Sequence, residues 1–260
     1  MQFKVLGPVE VAADGVVRTP RPAKLRALLA LLCVNAGSVV SREQLEEALW
    51  CGSAPRTARA ALQVYVSKLR KYFDTQDVFR GSLVTKPHGY ELHLDPSDLD
   101  LAQFDKYVRR SAEAVAGQRL ADGLADLRAA CALWRGPALA DLRGNPTFDN
   151  LARQLDERRI DATERRFNLH LEMGQHRAII SELCGLTAER PTWESIHAQL
   201  MIALYRSGRV SEALQVFRKI RDALVSELGL EPGEEIQTLH RSMLVRDPAL
   251  REDVALSRAY

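Results

Sequence analysis

The segment PRTARAALQVYVSKLRKYF, residues 55–73, decides the fold of the N-terminal part of this chain. Its apolar residues recur at steps of four and three positions, which is the spacing of one helix face. They are Ala58, Leu62, Val66, Leu69 and Phe73. Pro55 suits a first helical position, because a proline lacks the N–H group that a helix leaves unpaired there. The segment therefore predicts an amphipathic helix that begins at Pro55.

The opposite face of the predicted helix is basic. No acidic residue occurs between Glu47 and Asp74, and residues 55–73 contain five arginines or lysines. A helix with a packed back and a basic front of small and amide side chains is typical of helices that enter a DNA major groove. The alternative is an ordinary solvated surface helix, but such faces usually mix both signs of charge.

Charge is distributed unevenly along the chain. The 260 residues suffice for two domains, and the formal net charge is only +2. Residues 1–97 contain 13 Lys/Arg against 9 Asp/Glu, a net +4, whereas residues 98–260 contain 23 against 25, a net −2. This asymmetry predicts that the N-terminal part alone meets phosphate groups.

Several classes of function lack a signature in the sequence. The four cysteines are far apart with no CxxC motif, the six histidines are dispersed, and no glycine-rich phosphate loop occurs. We therefore expect no metal, no cofactor and no catalytic residue. The N-terminus has no signal-peptide pattern, and the longest apolar run, ALLALLCV, is too short to span a bilayer. We expect a cytoplasmic protein that associates with the nucleoid and not with a membrane.

The elements around the basic helix predict a winged helix-turn-helix. Short strands open the chain, with Asp14-Gly15 as a hairpin signal, and a first helix follows over about 23–35. Ser41 begins a second helix, with Gln44 placed as in a capping box. After the basic helix, strands near 83–85 and 90–94 form a hairpin with a basic tip. In this arrangement the third helix reads the groove and the hairpin is the wing.

Everything after the acidic Asp95-Pro96-Ser97-Asp98 segment reads as helix. Similar sequences begin at Gly174 and Gly208, a 34-residue offset that is the tetratricopeptide period. We expect a mainly α fold with small β-sheets, in which a winged helix (1–97) precedes a tetratricopeptide-like all-α domain (98–260). A generic helical bundle is the alternative for the second domain.

The chemical character of each side chain suggests which part of the DNA it would contact. Lys68 and Arg70 are the strongest groove and phosphate candidates, Gln63 suits an adenine edge, and Val64 suits a thymine methyl group. Tyr65, at the edge of the buried face, fits packing and phosphate contact equally well. The remaining candidates suit backbone contacts at the helix, at the start of the second helix and at the wing tip. They are Ser41, Arg42, Arg56, Thr57, Arg59, Ser67, Lys71, Lys86 and His88.

Motifs along nearly the whole chain resemble the Streptomyces antibiotic regulatory protein (SARP) family of transcription activators. They are FKVLGPVEV (3–11), AKLRALLALL (23–32), VVSREQLEEALW (39–50), ARAALQVYVSKLRKYF (58–73), LVTKPHGYEL (83–92), WRGPAL (134–139) and LYRSGRVSEALQVFRKIRDALVSELGLEPG (204–233). The resemblance implies an OmpR-type winged-helix domain joined to a bacterial transcriptional activation domain. It also implies a pair of protomers on direct repeats near a promoter −35 region, recruitment of RNA polymerase holoenzyme through its sigma factor and core subunits, and control of an antibiotic biosynthetic cluster.

The sequence is compatible with three functions. The first is a promoter-specific activator, and the second is a repressor or architectural DNA binder with the same N-terminal domain. The third is a repeat-based adaptor that binds only protein and uses its basic helix for an acidic partner.

Overall fold

A computed structural model describes residues 2–13, 15–74 and 82–250. A small antiparallel sheet opens the chain, with strand order β1-β2-β3 and Phe3 opposite Val11 in the register. Both side chains are buried, as expected when alternate residues of a strand face a core. Gly15 adopts a φ of 75° in the turn before β3, while the predicted turn partner Asp14 falls outside the described residues. The strands are β1 (Gln2–Lys4), β2 (Glu10–Ala13) and β3 (Val16–Val17).

Three helices follow the sheet and share one core. They are α1 (Ala23–Val34), α2 (Arg42–Trp50) and α3 (Ala58–Asp74). Leu28, Leu45 and Leu69, one from each helix, are almost completely buried. The predicted start of α3 at Pro55 is wrong. The Pro55 carbonyl instead accepts a hydrogen bond from the Ala58 N–H at 2.8 Å, so Pro55 lies in the turn before the helix.

The hairpin after α3 is the wing: strand β5 (Leu83–Lys86), strand β6 (Gly89–Leu92) and the Pro87-His88 turn between them. A short strand that the sequence did not predict, β4 (Val39–Ser41), pairs with β6, which gives the order β4-β6-β5. Gly89 is required at this crossing, because a Cβ atom there would lie 1.9 Å from the Val40 carbonyl oxygen. Strand β4, which lies between α1 and α2 in the chain, therefore joins these helices to the wing.

The chain divides into two compact units, residues 1–110 with 128–160 (the N-terminal unit) and residues 111–127 with 161–260 (the C-terminal unit). The helices in which these limits fall are α4 (Asp100–Ala116), α5 (Leu120–Ala132) and α6 (Pro146–Glu172). Residues after 97 therefore contribute to the N-terminal unit. The division of function at residue 97 stays a prediction.

Residues beyond position 97 anchor the first sheet of the N-terminal unit. The Asp100 carboxylate accepts hydrogen bonds from the N–H groups of Val5 (2.9 Å) and Leu6 (3.0 Å). The Asp141 carboxylate accepts from the N–H of Val9 at 2.7 Å and pairs with Arg26 of α1 at 2.9 Å. These bonds hold the bend between β1 and β2 in place.

Helices pack in succession in the C-terminal unit. They are α7 (His176–Glu189), α8 (Glu194–Arg206), α9 (Val210–Leu228) and α10 (Glu234–Leu244). Leu204 and Ala213 of the predicted repeat are buried where α8 meets α9, and Gly208 adopts a φ of 81° in the loop between them. Phe217 stacks on His240 of α10, a helix that the sequence did not single out, with ring centroids 3.8 Å apart.

Candidate nucleic-acid interface

Helix α3 presents one buried face and one exposed face. The buried residues are the five that the periodicity predicted: Ala58, Leu62, Val66, Leu69 and Phe73. The exposed face carries most of the predicted contacts, namely Gln63, Val64, Ser67, Lys68 and Lys71, with Arg59 in the first turn and Arg56 and Thr57 just before it. Val64 is 51% exposed, so its side chain is accessible on this face.

The exposed face of α3 is positively charged. Among the residues that the structure describes, Lys68 and Lys71 form no ion pair and no side-chain hydrogen bond. The first acidic residue of the helix is Asp74 at its last position. Phosphate groups that approach this face therefore meet lysines whose charge is not already neutralised.

Arg70 is not available on that face. Its guanidinium donates from Nε and Nη2 to the Leu83 carbonyl oxygen at 3.1 and 3.0 Å, and from Nη2 to the Thr85 hydroxyl at 2.7 Å. The sequence made Arg70 a groove and phosphate candidate, and in this structure such a contact would require its hydrogen bonds to β5 to break. The helical period puts Arg70, which follows the buried Leu69, at the edge of the exposed face, but it contains no information on strand β5, which lies beside that edge.

Tyr65 packs against its own domain. Its ring lies 6.4 Å from the ring of Trp50 in α2, tilted by 45°, and Lys24 Nζ lies 4.6 Å from the Trp50 ring centroid. Of the two roles that the sequence left open, the structure shows the packing contact. Tyr65 therefore contributes to the packing of α3 against α2.

The first turn of α2 is already occupied. The Ser41 hydroxyl accepts from the Gln44 N–H at 3.1 Å and the Gln44 side chain accepts from the Ser41 N–H at 2.9 Å, which confirms the predicted capping box. Hydrogen bonds from its own backbone N–H and from Ser41 hold the pKa of Glu43 below its ordinary value. A phosphate at the start of α2 would therefore meet the like charge of Glu43, which lies in the first turn of that helix.

Arg42 binds the wing rather than projecting freely. Its Nη1 donates to the Pro87 carbonyl oxygen at 3.0 Å and its backbone N–H donates to the His88 carbonyl oxygen at 3.1 Å. Arg42 therefore holds the wing tip against the start of α2. The His88 side chain remains exposed at that tip.

An acid that the sequence analysis overlooked lies beneath the wing. Glu91 of β6 is 9% exposed, and its carboxylate pairs with Lys86 Nζ at 3.0 Å and approaches His93 Nε2 at 3.2 Å. Because Val84 faces Glu91 in the register, Lys86 is the diagonal neighbour of Glu91 across the hairpin. No alternation within GYEL reveals this pairing, because all four residues of the strand are buried and only the hairpin register brings Lys86 to Glu91. Lys86 would have to leave Glu91, or share it, to reach a phosphate.

Within residues 2–13, 15–74 and 82–250, no group of three or more His, Cys, Asp or Glu side chains is arranged to hold a metal ion. In the same part of the chain, no helix combines the length and the apolar character that a membrane crossing demands.

Comparison with known proteins agrees with this geometry. Residues 19–92 match the family described as Transcriptional regulatory protein, C terminal, and residues 99–244 match the Bacterial transcriptional activator domain. A winged helix with an exposed basic α3, followed by such a domain, defines a DNA-binding regulator of transcription.

Individual relatives narrow the class to a family. The chain is 35% identical to the regulatory protein DnrI of Streptomyces peucetius, over 96% of this chain and 94% of DnrI. It is 37% identical to the regulatory protein AfsR of Streptomyces coelicolor, over 97% of this chain but only 25% of AfsR. The chain belongs to the SARP family of transcription activators.

A solved structure supports the same fold. Mycobacterium tuberculosis EmbR, in complex with a low affinity phosphopeptide, superposes with a TM-score of 0.90 at 32% identity. The match covers 96% of this chain and 68% of that one. The winged helix and the helical activator domain are therefore the fold of this chain, as the sequence predicted.

Proposed function

We propose that this protein activates transcription from promoters of a secondary-metabolite, antibiotic biosynthetic cluster. It would bind direct repeats near the −35 region and recruit RNA polymerase holoenzyme. The exposed face of α3 supports the proposal most strongly, because unpaired lysines, an amide and an exposed valine are combined there without an acid. Membership of the SARP family, with the regulatory protein DnrI matched over 94% of its length, supports the choice of cluster.

The side chains of α3 divide between reading bases and holding phosphates. Lys68 donates to guanine O6 and N7, Gln63 pairs with an adenine edge, and Val64 packs on a thymine methyl group. Phosphate contacts then fix the orientation of the helix without specifying sequence. They come from Arg56, Thr57, Arg59, Ser67 and Lys71 at the helix and from Lys86 and His88 at the wing.

Recruitment of polymerase falls to the helical part of the chain. Stacked helices present an extended surface suited to protein partners, here the sigma factor and the core subunits of the holoenzyme. The proposed activity needs no cofactor and no catalytic step. It places the protein in the cytoplasm, at the nucleoid.

Two protomers bind side by side in the same direction, with half-sites about one helical turn apart. This spacing puts both α3 helices on one face of the duplex, where neighbouring protomers raise each other's effective concentration. An insertion of half a turn, about five base pairs, should abolish cooperative binding, and a full turn should restore part of it. Binding indifferent to spacing, or a footprint with inverted symmetry, would contradict the head-to-tail arrangement.

In-vitro transcription separates the three functions that the sequence left open. Purified holoenzyme and a template with the footprinted promoter are used, with and without this protein. An increase in transcript supports activation, and a decrease would show a repressor. Failure to bind any promoter fragment at low salt would instead favour an adaptor that binds only protein.

A further inference from the structure

The guanidinium of Arg70 connects α3 to the wing. Three hydrogen bonds of 2.7 to 3.1 Å join it to the Leu83 carbonyl and the Thr85 hydroxyl, both on β5. Strand β5 is the outer strand of the β4-β6-β5 sheet, and among the described residues no further strand pairs with its other edge. Arg70 donates to β5 from outside the sheet. It thereby supplies the Leu83 carbonyl oxygen with hydrogen bonds that a neighbouring strand would otherwise provide.

The wing is held at both ends by an arginine. Arg70 binds the strand that enters the wing, and Arg42 binds the Pro87 carbonyl at its tip. A planar guanidinium with two donors on one carbonyl fixes orientation as well as distance, which a lysine ammonium does not. The position of the wing relative to α3 is therefore set within the protein, before any DNA is bound.

We propose that Arg70 is a positioning residue for DNA recognition: it sets the place of the wing relative to α3 and does not itself contact DNA. This inference rests on the proposed function, in which α3 and the wing both bind the duplex. Two contacts that are already correctly spaced act together, because binding by one presents the other at high effective concentration. Loss of the Arg70 bonds therefore removes the benefit of the wing while the contacts of α3 remain.

A cycle of variants distinguishes this role from a phosphate contact. The wing variant is Lys86→Ala/His88→Ala, the helix variant is Lys68→Ala, and each is measured alone and combined with Arg70→Met. When Arg70 is present, the wing variant and the helix variant should each weaken promoter binding roughly 5- to 150-fold, which is the range for a lost contact. In the Arg70→Met background, the wing variant should add less than about a further twofold, while the helix variant should keep its full effect.

Hydroxyl-radical footprinting gives a second readout that overall loss of stability would not produce. Arg70→Met should lose protection at the flank touched by the wing and retain protection at the bases covered by α3. Thr85→Val removes one acceptor and leaves the Arg70 charge in place. It should therefore reduce the wing effect in the same direction, and it carries the test should Arg70→Met fail to fold.

Three outcomes would contradict the proposed role of Arg70 or the proposed function. If the wing variant keeps its full effect in the Arg70→Met background, Arg70 acts independently of the wing and the inference is wrong, although the proposed function stands. If the wing variant has no effect even in the wild-type background, the wing does not contact DNA and the inference is again wrong. If the wild-type protein binds no promoter DNA, the proposed function fails first.

Discussion

Replacement of Asp100 by alanine is expected to destabilise the N-terminal unit. Asp100 is the first residue of α4 and is only 6% exposed. Its two carboxylate oxygens accept from the Val5 N–H at 2.9 and 3.0 Å, and one of them also accepts from the Leu6 N–H at 3.0 Å. Val5 and Leu6 are themselves buried, at 1% and 0% exposure. Water can therefore not readily replace the carboxylate as their acceptor.

The structure sets the size of the effect. Alanine leaves two buried N–H groups without an acceptor, and each such group costs about 1–3 kcal/mol, so the loss is roughly 2–6 kcal/mol. Burial raises the pKa of Asp100, which shows that the charged carboxylate pays a desolvation cost that its hydrogen bonds do not fully offset. Alanine removes that cost, so we expect the lower part of the range, about 2–4 kcal/mol.

The pKa of Asp100 also predicts a dependence on pH. Since its pKa in the folded chain lies above the ordinary 3.8, the folded chain holds this proton more tightly than the unfolded chain does. The stability that Asp100 contributes is then greatest at low pH and declines as the pH rises from the ordinary value through the raised one. The difference in unfolding free energy between wild type and Asp100→Ala should therefore be larger near about pH 4 than near pH 7.

Denaturant unfolding followed by tryptophan fluorescence measures this difference. A Trp193→Phe background leaves Trp50 and Trp134 as reporters, and both belong to the N-terminal unit. Glu47→Ala, which removes one exposed carboxylate from the same unit, is the matched control and should change stability by less than about 0.5 kcal/mol. If Asp100→Ala unfolds at the same denaturant concentration as Glu47→Ala, the Asp100 hydrogen bonds do not hold the β1–β2 bend.

Three further outcomes are expected. Lys68→Ala should weaken promoter binding by about 1–3 kcal/mol with an unchanged thermal midpoint, whereas the exposed Lys106→Ala should leave binding unaltered in the same gel-shift titration. Gly89→Ala should disrupt the wing, seen as a lower thermal midpoint and weaker binding, because the added Cβ would lie 1.9 Å from the Val40 carbonyl oxygen; wild-type behaviour would show that the strand crossing can relax. Residues 1–97 alone should bind DNA without activating transcription, but with a lower thermal midpoint than the whole chain, since the carboxylates that anchor its sheet lie beyond residue 97; full activation by this fragment in vitro would contradict the division of labour.

Local sequence was sufficient for the features whose causes are local. The buried face of α3 follows from a period of 3.6 residues, and the capping box of α2 joins Ser41 to a residue only three positions away. The helix start was misplaced, because Pro55 fits both a first helical position and the turn that precedes one. A proline is favoured in either position, so its presence alone does not show at which residue the helix begins.

Features that depend on distant partners were not predictable. Arg70 binds residues 13 and 15 positions away, and Asp100 binds residues 94 and 95 positions away. A basic residue at the edge of a basic helix looks the same in sequence whether a phosphate or a carbonyl of β5 lies beside it. Only the placement of the wing decides the role of Arg70. The pairing of Lys86 with Glu91 likewise requires the hairpin register.

Photo-cross-linking tests the central claim, that α3 lies in the major groove, most directly. A photoreactive residue is placed at position 64 on the exposed face of α3, and a matched one at position 225 on α9, where the native valines are 51% and 46% exposed. The footprinted promoter fragment is labelled, and cross-linked bases are mapped. We predict efficient cross-links from position 64 to bases within the protected half-site, lost when salt dissociates the complex, and none from position 225. Equal cross-linking from both positions, or none from position 64 in a complex that still forms, would contradict the assignment of α3 as the helix that reads DNA.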